Sequence, residues 1–122
     1  MNPETLKSLI KEEYCYLTTT GRVTGNPHEI EIWFGLRENT LYLLSGGGNS
    51  DWVKNLKKNP AVTLKVKKLT FSATARIITD KEEESTARTM LADKYNECES
   101  DGSLSEWART ALPVAIDLKE KL

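Results

Sequence analysis

Ser45-Gly46-Gly47-Gly48-Asn49-Ser50-Asp51-Trp52-Val53-Lys54-Asn55-Leu56 joins an apolar, strand-like run, Leu41 to Leu44, to a short helix. Three consecutive glycines leave its backbone free to approach a neighbour closely. Ser50 is placed to cap the helix, and Asp51 suits its positive end. The N–H groups of a helix start have no partner within the helix and favour an anion or an acceptor-rich ring. Trp52, Val53, Asn55 and Leu56 fall within reach of one face, Lys54, Lys57 and Lys58 lie towards the other side or the C-terminal end, and Asn59-Pro60 stops the helix. Two readings stand: a ligand site, or a turn with Trp52 in the core behind it.

Working outward, the residues before this stretch alternate. Ile30, Ile32, Phe34 and Leu36 interleave with Glu29, Glu31, Trp33 and Gly35, which predicts one strong strand with a core face and a face carrying Glu29, Glu31 and Trp33. Arg37-Glu38-Asn39 makes a short hairpin into Thr40 to Ser45, apolar enough to be buried on both faces. Tyr14 to Thr20 has strand composition, and Pro3 to Glu13 reads as an amphipathic helix presenting Leu6, Leu9 and Ile10.

Beyond the short helix, Val62, Leu64 and Val66 form the inward phase of a strand from Ala61 to Lys67, and Phe71, Ala73, Ala75 and Ile77 that of a second from Leu69 to Thr79. Asp80 caps a long helix, with Glu83 completing a capping-box pattern and Ala87, Met90, Leu91, Lys94 and Tyr95 at helical spacing until it ends near Cys98. Ser103 to Arg109 holds one helical turn; Leu112, Val114, Ile116 and Leu118 alternate in a last strand that Pro113 places on an edge at its start. Six short, mostly antiparallel strands with an N-terminal helix, a short helix and one long helix predict a mainly β (α+β) single domain over residues 1–122, curled into a small barrel.

At 122 residues the chain can bury a sufficient core without disulfides or a structural metal. A net charge of −1 speaks against nucleic acid or an anionic membrane as partner, since both rest on a basic surplus. The lysines at 54, 57, 58, 65, 67 and 68 form a solvated face or meet the acidic part of a small ligand. Cys15 and Cys98 show no metal-ligand spacing and read as free thiols of a reducing compartment. With His28 the one histidine, no zinc site is expected. Charges among the first residues leave no signal peptide or membrane span, so a cytoplasmic setting is expected.

A second glycine-bearing turn, Gly21-Arg22-Val23-Thr24-Gly25-Asn26-Pro27, brackets an arginine and a threonine. Arg22 is a fork-shaped donor for phosphate or carboxylate, and Thr24 and the glycine N–H groups add donors. The spacing matches neither a Walker nor a Rossmann motif, and a plain hairpin loop uses the same residues.

Taken together, Leu17-Thr18-Thr19-Thr20-Gly21-Arg22-Val23-Thr24-Gly25-Asn26-Pro27, then Leu41 to Gly48, then the run from Asp51 through Asn59-Pro60-Ala61-Val62-Thr63, resemble the deazaflavin (coenzyme F420)-dependent nitroreductase family. The resemblance runs from about Tyr14 to Ile78. It implies a split β-barrel of the flavin-reductase and pyridoxamine-oxidase type, a homodimer, and hydride transfer from reduced F420 to a nitro compound, quinone or activated alkene. It further implies that Arg22, Thr24, Gly25, Asn26 and Pro27 hold the phosphate and acidic oligoglutamate tail of F420, that Ser45, Gly46, Gly47 and Gly48 line its ring and linker, and that Trp52 and Asn55 contact the deazaflavin. Val23, Asn26 and Gly46 stand where many relatives carry cations. Each lost exposed pair weakens the grip on an acidic tail by about 0.3–1 kcal/mol, which makes FMN the alternative cofactor and leaves two other readings, an FMN-binding split-barrel oxidoreductase or a non-catalytic module that binds a flavin or deazaflavin. No proton donor is identified; Tyr95, Tyr42 and His28 are the candidates. Trp33 and Trp107 either pack or shape an acceptor pocket.

Overall fold

Asn2 accepts a hydrogen bond from the Thr5 backbone N–H (2.8 Å), and Pro3 sits in the first turn, so α1 (Pro3–Ile10) begins with a built cap. In the computed structural model, which describes residues 2–122, there follow β1 (Tyr14–Thr20), β2 (Pro27–Trp33), β3 (Gly35–Arg37), β4 (Thr40–Ser45), α2 (Asp51–Lys58), β5 (Ala61–Val66), β6 (Leu69–Ile77), α3 (Lys81–Tyr95), α4 (Glu106–Thr110) and β7 (Leu112–Lys121). The strands form one sheet in the order β2-β1-β5-β6-β7-β4-β3, with each pair antiparallel.

That order corrects the expectation of one strand through Ile30 and Leu36. β2 and β3 lie at opposite edges of the sheet, yet Phe34 alone separates them in the chain. The two edges must therefore meet there, and the sheet curls round on itself as a split barrel. The break is held by α3. The Tyr95 hydroxyl accepts from the Phe34 N–H (3.0 Å) and lies 3.1 Å from its carbonyl, while Lys94 Nζ donates to that carbonyl (3.0 Å).

Inside the curl, Leu17, Phe34, Leu41, Leu43, Val53, Leu64, Val114 and Ile116 are fully buried. A smaller cluster, Tyr42, Leu44, Ile78, Ala87, Leu91, Ala111 and Ala115, lies between the sheet and α3. β4 is thus buried on both faces, as its unbroken apolar run predicts.

Five further expectations change. β7 is an interior strand, paired with β4 on one side and β6 on the other. Pro113 is tolerated because it sits past the end of β6, where its carbonyl accepts from the Ile78 N–H (3.1 Å) and only the return bond is lost. Asp80 caps α3 by accepting from the Glu83 N–H (2.8 Å), but the Glu83 carboxylate turns to Arg76 and Tyr42 instead of closing a capping box. α1 stops at Ile10, not Glu13, and α3 at Tyr95, followed by Asn96 in the left-handed region at φ 57°. Ser50 precedes α2 without capping it; its hydroxyl instead pairs with that of Ser45 (2.8 Å).

Candidate functional site

The turn between β1 and β2 is closed by its own backbone. Gly21 N–H donates to the Asn26 carbonyl (2.7 Å), Gly25 N–H to the Gly21 carbonyl (2.9 Å), and Asn26 N–H to Thr24 Oγ1 (3.2 Å). Gly25 carries φ 78°, which an L side chain adopts only under strain. Gly21 answers a different need: a Cβ there would lie 2.8 Å from His28 Nε2 and 3.1 Å from the Asn26 carbonyl oxygen.

Asn55 and Arg22 dock this turn on α2. Asn55, only 3% exposed, accepts at Oδ1 from the Arg22 backbone N–H (3.1 Å) and from Arg22 Nη1 (2.9 Å), and its amide donates to Thr19 Oγ1 (3.2 Å). Arg22 Nη2 donates to Asp51 Oδ1 (3.1 Å), and Lys58 Nζ donates to the Arg22 carbonyl (2.8 Å). The position of Asn55 one turn along from Asp51 makes this possible, since residues i and i+4 share a helix face. Asp51 therefore serves the arginine more than the helix end.

Between the turn and α2 opens a cleft of about 610 Å³, lined by Gly21, Arg22, Val23 and Thr24, by Pro27 to Ile30 of β2, and by Asp51, Trp52 and Asn55. It gathers Arg22, Thr24, Pro27, Trp52 and Asn55 from the sequence-derived set. Gly25 and Asn26 shape the turn without lining the cleft. Ser45, Gly46, Gly47 and Gly48 lie in the loop entering α2, also off the lining: Ser45 is buried, Gly47 and Gly48 have φ 81° and 68°, and a Cβ on Gly46 would touch the Trp107 indole at 3.7 Å.

Periodicity alone did not mark Asp51, Glu29 and Ile30 as cleft residues, because it reports a strand face or a cap and not what stands opposite. Among the proton-donor candidates, His28 lines the cleft. Tyr42 donates to Glu83 Oε2 (3.1 Å), and burial with that carboxylate pushes its hydroxyl up. Tyr95 is pushed up to about 12 by burial, and its hydroxyl is bound to the Glu13 and Phe34 backbone. Its ring stacks on Trp33 at 4.3 Å, and Trp107 meets Trp33 edge-on at 5.6 Å, so both tryptophans pack in an aromatic cluster.

The donor set suits a flat, acceptor-rich anion. Arg22 commits three N–H donors to Asp51 and Asn55 and keeps two of its five, and the turn adds hydroxyl and backbone groups; Trp52, only 8% exposed, belongs to the main core and reaches the cleft from behind.

Similar folds recur among solved structures. A proposed 5-nitroimidazole antibiotic resistance protein from Bacteroides thetaiotaomicron superposes with a TM-score of 0.76 at 20% identity, over 98% of this chain and 81% of that one. An F420 reductase gives 0.68 at 18% identity, over 99% and 98%. An F420-H2 dependent reductase gives 0.67 at 20% identity, over 88% and 94%. At these identities the likeness establishes the split-barrel fold. Residues 2–119 match the F420H(2)-dependent quinone reductase family. That match spans almost the whole chain, which therefore belongs to the F420H(2)-dependent quinone reductase family and is an F420-using oxidoreductase.

Proposed function

We propose that the chain reduces a quinone, or another small organic acceptor such as a nitro compound or activated alkene, with F420 seated between the Gly21–Pro27 turn and α2. The cleft carries this reading. Its volume of about 610 Å³ lies within the ~300–1,000 Å³ typical of small-molecule sites, and it is the place where the turn and helix motifs of the sequence converge. Reduced deazaflavin supplies the hydride when bound. The chain's residues orient and hold: Trp52 flanks the ring, Arg22 offers its uncommitted donors to the phosphate, and Asn55 keeps Arg22 in place. His28 stands in the same lining to deliver the proton that balances the hydride. The likeness to the nitroimidazole-resistance protein supports nitro acceptors beside quinones.

A homodimer and a cytoplasmic setting belong to the same proposal. The largely exposed edge strand β2 supports the first and the free thiols of Cys15 and Cys98 the second. No helix among the described residues is long and apolar enough to cross a membrane.

The test is a fluorescence titration of cofactor-free protein with F420, with FMN as control, followed by oxidation of F420H2 in the presence of a quinone, a nitroarene or an enone. Saturable F420 binding with acceptor-dependent oxidation is expected. Absence of F420 binding sinks the proposal, and binding without turnover on any acceptor sinks its catalytic half.

A further inference from the structure

A second hollow, of about 720 Å³, opens where the end of α1, strand β3 and one face of α3 meet, and it shares no lining residue with the cleft beside α2. Ile10, Leu36 and Met90 give it apolar walls, Ser85 and Thr89 add hydroxyl donors, and Lys94 stands in the same lining. The charge of Lys94 is only partly answered. One N–H donates to the Phe34 carbonyl (3.0 Å) and the ammonium lies 3.7 Å from the centre of the Phe34 ring, while its other two N–H donors have no partner among the described residues. No carboxylate among the described residues forms an ion pair with it. Asp93, the carboxylate of the lining, accepts from the Cys98 thiol instead (3.9 Å), and Lys11 and Arg37 are exposed outside the lining. Burial therefore outweighs the pull of Cys15 and Glu12 and brings the amine down to about 8. A cation taken partly out of water without a counter-ion is destabilised, and an anion supplied from outside recovers that loss.

We propose that this hollow is a second binding site, for a small monocarboxylate with an apolar body, its carboxylate against Lys94 and its chain along Ile10, Leu36 and Met90. A single negative charge matches the single cation of the lining, and Asp93 disfavours any more. Because the ligand favours the charged amine, binding draws a proton onto Lys94 where the free amine is partly neutral, and affinity falls as pH rises through about 8. Cys15 and Tyr95, each pushed up to about 12 by burial, keep their protons over that range.

The experiment is isothermal titration of the full chain with octanoate, and with octanamide as its uncharged counterpart. Octanoate should saturate the protein below about 10 mM at neutral pH, and octanamide should bind at least about tenfold more weakly. Octanoate affinity should fall about tenfold or more from about pH 7 to about pH 9.5, with proton uptake near pH 8 read as a buffer-dependent heat. Thr89→Phe, at an exposed position of α3, should fill the hollow, and Lys94→Met should remove the partner of the anion; each should lower octanoate affinity at least about fivefold. Equal binding of acid and amide, or an affinity indifferent to pH, overturns the carboxylate–Lys94 contact. Failure of octanoate to saturate, or binding that survives either substitution in a folded protein, overturns the site. Each of these results leaves the F420 cleft standing, since the two share no residue.

Discussion

Lys94 Nζ lies 3.0 Å from the carbonyl oxygen of Phe34 and 3.7 Å from the centre of the Phe34 ring. The amine thereby satisfies a backbone acceptor at the one residue where the chain leaves one edge of the sheet for the other. Burial pushes the ammonium down from 10.5 to about 8, with Cys15 and Glu12 opposing that shift. A base lowered on folding binds its proton more readily in the unfolded chain between those two values, so stability rises with pH there. Cys15, pushed up from 9.0 to about 12 by burial, works in the opposite sense above pH 9. Between about pH 8 and 9, the urea midpoint of the protein should therefore rise relative to that of Lys94→Met. Parallel midpoints across that interval would show that Lys94 does not titrate as its burial requires.

Arg76 grips Glu83 with two bonds, 2.6 and 2.8 Å, and also reaches Asp117 at 2.7 Å. The guanidinium, aided by the Tyr42 hydroxyl, holds the Glu83 carboxyl below its ordinary 4.5. The stability this confers is present above that value and is lost as pH falls through the folded-state value. Glu83→Gln should cost about 1–2 kcal/mol at neutral pH, with the gap closing in acid. Chemical melts of both proteins at neutral and acid pH check this; a gap that persists undiminished in acid assigns the loss to packing.

Removing Asn55 strips acceptors from two Arg22 donors and a partner from Thr19. Asn55→Ala should destabilise by about 1–3 kcal/mol and weaken F420 binding. Arg22→Ala, whose side chain is a third exposed, should cost no more than about 1 kcal/mol yet also weaken binding. Because the two residues share their bonds, the double variant should fall short of the sum in both melt and titration. Unchanged affinity in a folded Arg22→Ala protein removes Arg22 from the site.

His28→Gln keeps a polar side chain beside Gly21 but removes the titratable ring. F420 binding should stay within about threefold while turnover with a quinone drops about a hundredfold, the usual worth of a positioned proton donor. Stopped-flow oxidation of F420H2 separates the two effects, and an unchanged rate dismisses His28 as the donor.

Local patterns revealed local structure. The strand composition of β1, the alternation in β5 and β6, the double burial of β4 and the cap at Asp80 were all legible because each depends on neighbours a few residues away. The break at Phe34 was not, because side-chain alternation runs straight across it and its cause sits about 60 residues later at Lys94 and Tyr95. For the same reason the donor character of Arg22 was readable while its partners Asp51 and Asn55 were not. Pro113 misled because proline reports a missing donor without saying whether a neighbouring strand extends far enough to want it.

β7 bridges β6 and β4, and among the described residues no other strand pairs with both. During synthesis, every residue before Leu112 can emerge and still leave β4 and β3, tethered to β2 through Phe34, without strand pairing to the β2-β1-β5-β6 part of the sheet. Assembly is therefore gated by the arrival of the last strand: a nascent chain carries two open sheet edges, candidates for chaperone capture or mispairing, until residues 112–121 slide between them.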